Sequence, residues 1–202
     1  MKKILIMNSV DIKPLVEEIS KTIKLAYPVI IGQLGIIMMG VIDSIMVGRL
    51  GPVPLAAASL GNSLIFIILI IGIGSSIVIS PLVAILVGGN RFSECGTYFR
   101  QSLVVNIALS LVMILIILLG VNFIYLLNQP PEIIEQTIIY MSIVGLSALP
   151  LMIYQTYKQF IEGLSVMKPA MIIALLANII NAFANWVLIF GELGFPKLGI
   201  AG

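Results

Sequence analysis

The chain has 202 residues, of which 60% are hydrophobic and only 10% charged, with a net charge of +2. Soluble domains average about 25% charged residues, so this composition excludes a water-soluble globular domain and makes lipid the solvent. A balance this close to neutral gives no reason to invoke nucleic acid, and the lack of histidine with a single cysteine, Cys95, excludes an intrachain disulfide and argues against a histidine–cysteine metal centre.

The opening Met-Lys-Lys-Ile-Leu-Ile-Met has too short an apolar core for a signal peptide, and no small-residue cleavage site follows. Residues 8–24 carry Leu15, Ile19 and Ile23 at i, i+4, i+8, with Glu17, Glu18, Lys21 and Lys24 elsewhere around the wheel. That pattern predicts a short amphipathic helix lying on the inner membrane surface; a cytoplasmic tail is the alternative. Residues 1–23 are assigned to this segment and residues 24–202 to one transmembrane region.

Uncharged windows cover residues 25–42, 51–90, 101–131, 136–157 and 169–191. A spanning helix needs about 20 mostly apolar residues. With residues 43–48 added to the first window, the sequence predicts an all-α, polytopic transmembrane helical bundle. Its five spans fall at about 25–48, 55–88, 101–127, 133–157 and 169–191. The second window is long enough for two short helices hinged at Gly72-Ile73-Gly74, and the positive-inside rule decides against that. With one helix there, Lys2, Lys3, Lys13, Lys21, Lys24, Arg91, Arg100, Lys158 and Lys168 share the cytoplasmic side, and only Arg49 and Lys197 lie outside. The N-terminus is therefore cytoplasmic, and Cys95 falls on a cytoplasmic turn.

The first span carries the most informative residue. Asp43 is the one charged group that must sit well inside an apolar helix, where a carboxylate costs about 2.5–3.5 kcal/mol on insertion scales. At about 100° per residue, Pro28, Gly32, Gly35, Met39, Ile42, Asp43 and Met46 fall on one stripe, suited to the bundle interior. Pro28 removes a backbone hydrogen bond and is compatible with either a hinge or a static bend. The second span is seeded with Gly72, Gly74, Ser75, Ser76 and Ser80, which favours close helix packing over substrate contact. On the fourth span Tyr140, Ser147 and Tyr154 form a weaker stripe with Pro150 between them. Aromatic faces suit flat cations, and tyrosine is equally an ordinary packing residue.

The fifth span supplies a partner for the carboxylate. Asn178, Asn181 and Asn185 stand at i, i+3, i+7 on one face. The first and fifth spans run in the same direction, and Asp43 and Asn185 each sit roughly 8–9 Å below the outer end at ~1.5 Å per residue. A carboxylate and two amide oxygens at one depth make an oxygen cage for a transient Na⁺, or a polar pocket that holds a proton. Interhelical hydrogen bonding alone is the simpler reading for Asn178. An apolar surround disfavours an ionised carboxylate while a bound cation favours it, so one such site can exchange Na⁺ or H⁺ for an organic cation.

These residues resemble a known family. Pro28 through Gly32-Gln33 to Asp43-Ser-Ile-Met-Val-Gly48-Arg-Leu-Gly, followed by Leu55-Ala-Ala-Ala-Ser-Leu-Gly, is similar to the opening of multidrug and toxic compound extrusion (MATE) transporters. Ile161-Glu-Gly-Leu-Ser-Val-Met-Lys-Pro169 and Asn181-Ala-Phe-Ala-Asn-Trp-Val-Leu-Ile-Phe-Gly191 resemble its NorM-like branch, so that the likeness runs from about Lys24 to Gly202. The resemblance implies five of the six helices of a MATE-type N-lobe and efflux of cationic or amphipathic compounds in exchange for Na⁺ or H⁺. It also implies a cation or proton site at Asp43, Asn181 and Asn185, and a hinge at Pro28 whose bending accompanies proton binding. Gln33, Met39, Tyr140, Tyr154 and Asn178 are the candidate substrate-lining residues. No cofactor beyond the coupling ion is implied. The expected partners are membrane lipid and the small-molecule substrate, and the expected location is the bacterial inner membrane. Family members have twelve helices in two lobes, so a missing C-lobe is expected and the chain is expected to be a gene fragment.

Two other classes compete. A lipid-linked oligosaccharide flippase of the same superfamily would handle anionic substrates and call for basic residues inside the bundle, where the sequence places none. A non-transporting accessory subunit would keep the fold and tolerate Asp43→Asn. An enzyme is not supported, since there is no histidine, metal cluster or pair of carboxylates at one depth.

Overall fold

The computed structural model describes residues 12–202, with side chains from Val16 onward. Helix α1 runs unbroken over Ile12–Gly48, with Pro28 inside it. At about 1.5 Å per residue, 37 residues extend well beyond a hydrocarbon core of about 30 Å, so the N-terminal turns project from the membrane. The helix expected at 8–24 is thus continuous with the first span from Ile12 onward, as the N-terminal extension of α1. Val16, Ile19 and Ile23 on it are exposed, while residues 8–11 and the Leu15 side chain lie outside the described part.

Helices α2 (Pro52–Ile77) and α3 (Ile79–Gly88) follow, then α4 (Phe92–Gly120), which tightens into a 3₁₀ segment at Val121–Leu127. Next come α5 (Pro131–Leu146), α6 (Ala148–Gly163) and α7 (Lys168–Phe190), and a 3₁₀ turn at Gly199–Ala201. Four stretches are long and apolar enough to cross a bilayer: Val16–Gly48, Pro52–Gly88, Phe92–Leu127 and Lys168–Phe190. The pair α5–α6, bent by 41°, makes a fifth. The chain is an all-helical, multi-pass membrane protein.

Both helix breaks have one cause. Helix α2 ends at Ile77 and α5 at Leu146, each four residues before a proline, Pro81 and Pro150. A proline cannot donate to the carbonyl four residues back, and its ring crowds that turn, so the helix yields there. The alternative hinge at Gly72–Gly74 is not where the chain bends. Gly72 serves close packing instead: a Cβ there would stand 2.8 Å from the sulfur of Met113 and 2.9 Å from that of Met152. The bend at Ser147 also divides the stripe expected from Tyr140 to Tyr154, placing the two tyrosines on separate helices.

Packing sorts the helices into two groups. Helix α1 packs chiefly along α7, while α2 packs on α5 and on α4, and α6 on α3 and α4. Inside the second group lie two apolar clusters, one of Ile65, Ile117, Ile124, Ile134 and Met141, the other of Ile79, Val83, Leu86 and Cys95. Cys95 is therefore buried in the first turns of α4 against α3, not set on a turn, because α4 begins nine residues before the uncharged window does. Between the clusters a neutral polar hub joins three helices. The Asn106 amide donates to Thr156 Oγ1 (2.7 Å) and Ser76 Oγ (3.2 Å), and its oxygen accepts from Ser75 Oγ (3.1 Å).

Candidate cation site

The inward stripe of α1 forms as its spacing predicts. Pro28 and Gly35 are buried and Gly32, Met39, Ile42, Asp43 and Met46 are partly covered, whereas most of the intervening residues are exposed. What covers the stripe is α7. Gly35 lets α7 come close, since a Cβ there would stand 3.3 Å from the Asn178 amide nitrogen, while one on Gly32 would make ordinary contact, 3.7 Å from Met171 Cα. The Asn178 amide donates to the Gly35 carbonyl at 2.8 Å while also donating to Ala174 O within its own helix. Its own side-chain oxygen is buried without a partner among the described residues.

Two turns outward the same face brings the acid to the amides. Asn185 Nδ2 donates to Asp43 Oδ1 at 2.6 Å and, at 3.4 Å, to Asn181 Oδ1. All three side chains are partly buried. The equal-depth estimate from the outer helix ends thus corresponds to a direct contact. Helix α7 holds its register because it stops at Gly191, whose φ of 77° closes the helix, and the chain then folds back through Leu198 N–H to Leu188 O at 3.0 Å. Tyr140 of α5 is packed over Gly61 of α2, where a Cβ would stand 2.7 Å from its ring.

Chemically the trio has two faces. With the Asn185 amide nitrogen turned to Asp43, one oxygen of the carboxylate has a donor without a metal ion. Rotation of that amide by half a turn would present its oxygen instead, so that Asp43, Asn181 and Asn185 could all offer oxygen to a hard cation. A proton on Asp43 would give the carboxyl a donor for Asn181 Oδ1.

The remaining candidates divide by depth. Met39 stays on the α1 stripe between the two asparagine levels. Gln33 and Tyr154 lie toward the cytoplasmic end, away from Asp43. Tyr154 lines a water-sized cavity of about 10 Å³ with Pro28, Gly32, Lys158 and Glu162. Lys158 corrects the expectation of no basic group inside the bundle. Its side chain is only 11% exposed, sits 3.9 Å from Glu162 and donates to Gln33 Oε1 at 3.4 Å. Charge asymmetry placed Lys158 at the membrane edge, and its opposite partner one turn later was the signal that it turns inward. The Asn106 hub was missed altogether, although an asparagine in the most apolar span was the clue.

Comparison with known proteins fits this geometry. The MatE family profile matches residues 28–187. The chain belongs to this family. The MatE relatives include "Probable multidrug resistance protein NorM" of Mesorhizobium japonicum, 36% identical over 92% of this chain and 40% of the relative. "Multidrug resistance protein NorM" of Vibrio parahaemolyticus is 30% identical over 92% of this chain and 41% of its own length. The chain thus spans about two fifths of the curated relatives it matches, the part that forms the N-lobe. Among solved structures, one described as the outward-facing conformation of a multidrug resistance MATE family transporter superposes with a TM-score of 0.81. Its sequence identity is 21%, and the match covers 90% of this chain and 40% of that one. A MOP superfamily transporter from Pyrococcus furiosus gives 0.77, also at 21% identity. At such identity these two likenesses speak for the MATE fold alone.

Proposed function

We propose that this MatE chain forms the N-terminal lobe of a multidrug efflux antiporter of the bacterial inner membrane, in which Na⁺ or H⁺ influx drives export of cationic or amphipathic compounds. The observation that carries this reading is the Asn185–Asp43 contact at 2.6 Å with Asn181 beside it. A carboxylate kept at membrane depth by two neutral amides can gain and lose a cation without an internal counter-charge. The unpartnered oxygen of Asn178 is an acceptor for a ligand that reaches one turn deeper. Pro28, whose ring leaves one backbone carbonyl of the continuous helix α1 without its donor, is the hinge this reading assigns for changing access to the site. A second lobe, on the same or another polypeptide, completes the substrate cavity, because alternating access needs two bodies rocking about one site.

The flippase reading has gained one basic residue, Lys158, but Glu162 neutralises it, so no net positive pocket awaits an anionic substrate. The decisive experiment has two arms. Purified chain in lipid nanodiscs should bind Na⁺ by calorimetry against a choline chloride reference, and Asp43→Asn should abolish the heat. A chimera with residues 1–202 in place of the matching part of the Vibrio parahaemolyticus NorM should export ethidium from a sensitised bacterium, and lose that export with Asp43→Asn. Export that survives Asp43→Asn would refute the coupling role, and the accessory-subunit reading would gain.

A further inference from the structure

The proposal concerns Lys158, a largely covered charge that meets α1 at Gln33, ten residues before Asp43. Two welded units meet there. Helices α1 and α7 are joined through Asn178 to the Gly35 carbonyl and through Asn185 to Asp43. Helices α2, α4 and α6 are joined through Asn106, with Thr137 Oγ1 of α5 adding a bond to Ala57 O of α2 at 3.3 Å. Among the described residues one side-chain hydrogen bond crosses from one unit to the other, Lys158 Nζ on α6 to Gln33 Oε1 on α1.

We propose that α1 and α7 move as one body against the three-span block α2–α6, and that Lys158 is the positioning residue that latches the cytoplasmic end of that body in place. Three observations favour a latch over a permanent joint. The bond is long, 3.4 Å, at the weak end of hydrogen-bond geometry. Lys158 keeps Glu162 on its own helix as counter-charge at 3.9 Å, so the departure of Gln33 strands no bare ammonium in a low-dielectric interior. Pro28 lies five residues before Gln33 and faces the same cavity as Lys158, so the one turn of the continuous helix α1 weakened by a missing backbone hydrogen bond adjoins the point of attachment. An unpaired lysine at this place would be costly whether the contact were open or closed. A lysine neutralised from within its own helix can hold Gln33 or let it go at small cost.

This inference does not require that Asp43 bind a cation, and its test is run without Na⁺. Spin labels at exposed Ile23 on α1 and Val104 on α4 report the distance between the units, and labels at Ile71 on α2 and Val104 report within the block, all in a Cys95→Ala background in nanodiscs. Lys158→Met and Gln33→Leu should each add a second, displaced peak to the Ile23–Val104 distribution, while Lys158→Arg should keep the native one. The Ile71–Val104 distance should stay unchanged throughout. Gln33→Leu leaves the Lys158–Glu162 pair intact and decides the matter if Lys158→Met fails to fold. An unmoved Ile23–Val104 distance in the folded variants, or equal broadening of both distances, would overturn the latch.

Discussion

The α1–α7 pair and the Asn106 hub at the heart of the α2–α6 block solve the same problem, burying polar groups in lipid, in opposite ways. Around Asn106 the polar groups are neutral and mutually satisfied, whereas elsewhere in the block Lys158 and Glu162 carry charge and the buried oxygens of Gln136 and Gln155 have no partner among the described residues. Asn106 and Thr156 are 2% and 0% exposed, and the Asn106 amide uses both nitrogen and oxygen. In the pair an acid is left with amide partners that can turn, and another amide keeps a spare oxygen. The difference separates scaffold from working part: closed networks hold helices together, while a network with a rotatable donor and an unfilled acceptor can take up a ligand.

That division is tested by asking which variants lose stability and which lose binding. The largest loss of stability is expected in the block at Gly163→Val. A Cβ there would stand 2.7 Å from both the Ser80 carbonyl oxygen and Val83 Cβ, and backbone cannot step aside cheaply. Overpacking costs about 1–3 kcal/mol and more where main chain must move, so a much lower midpoint in denaturant titration is expected. Asn106→Leu should follow, at about 1–3 kcal/mol, since Ser76 and Thr156 lose a common partner in a dry interior. In both variants the fraction that remains folded should bind Na⁺ as the native chain does. Loss of binding there would mean that the two regions are one.

Much of this was legible in the sequence, for identifiable reasons. Depth could be counted from helix ends, so Asp43 and Asn185 could be brought to one level before any contact was known. The stripe from Pro28 to Met46 follows from helical periodicity alone. Hydropathy marks the spans but does not report direction changes within them. The breaks at Ile77 and Leu146 obey the rule for a carbonyl four residues before proline, yet Pro28 leaves α1 continuous, with Gly32, Gly35 and the whole length of α7 beside it. The same residue type bends one helix and not another because neighbouring packing decides. Lys158 was assigned to the membrane edge because charge counting treats every lysine as solvated, whereas a partner at i+4 lets one turn inward. No periodicity marks Asn106, whose role depends on which three helices meet.

Within the pair the expected effects reverse and diminish. Asn185→Ala removes the donor to Asp43 and one potential cation ligand. It should weaken Na⁺ binding about tenfold, equivalent to about 1.4 kcal/mol, with little change in unfolding midpoint. The smallest effect belongs to Asn178→Ala. The bond lost joins α7 to Gly35, and interhelical hydrogen bonds in membranes average ~0.6 kcal/mol because unfolded helices also find partners in the bilayer. Alanine also removes a buried oxygen that has no partner, which offsets part of that loss. Near-native stability is therefore expected. Binding of a cationic dye such as ethidium to the chimera, followed by fluorescence, then separates two roles. A weaker dye affinity at unchanged stability would make Asn178 part of the substrate surface, and unchanged affinity would leave it as a clasp between helices.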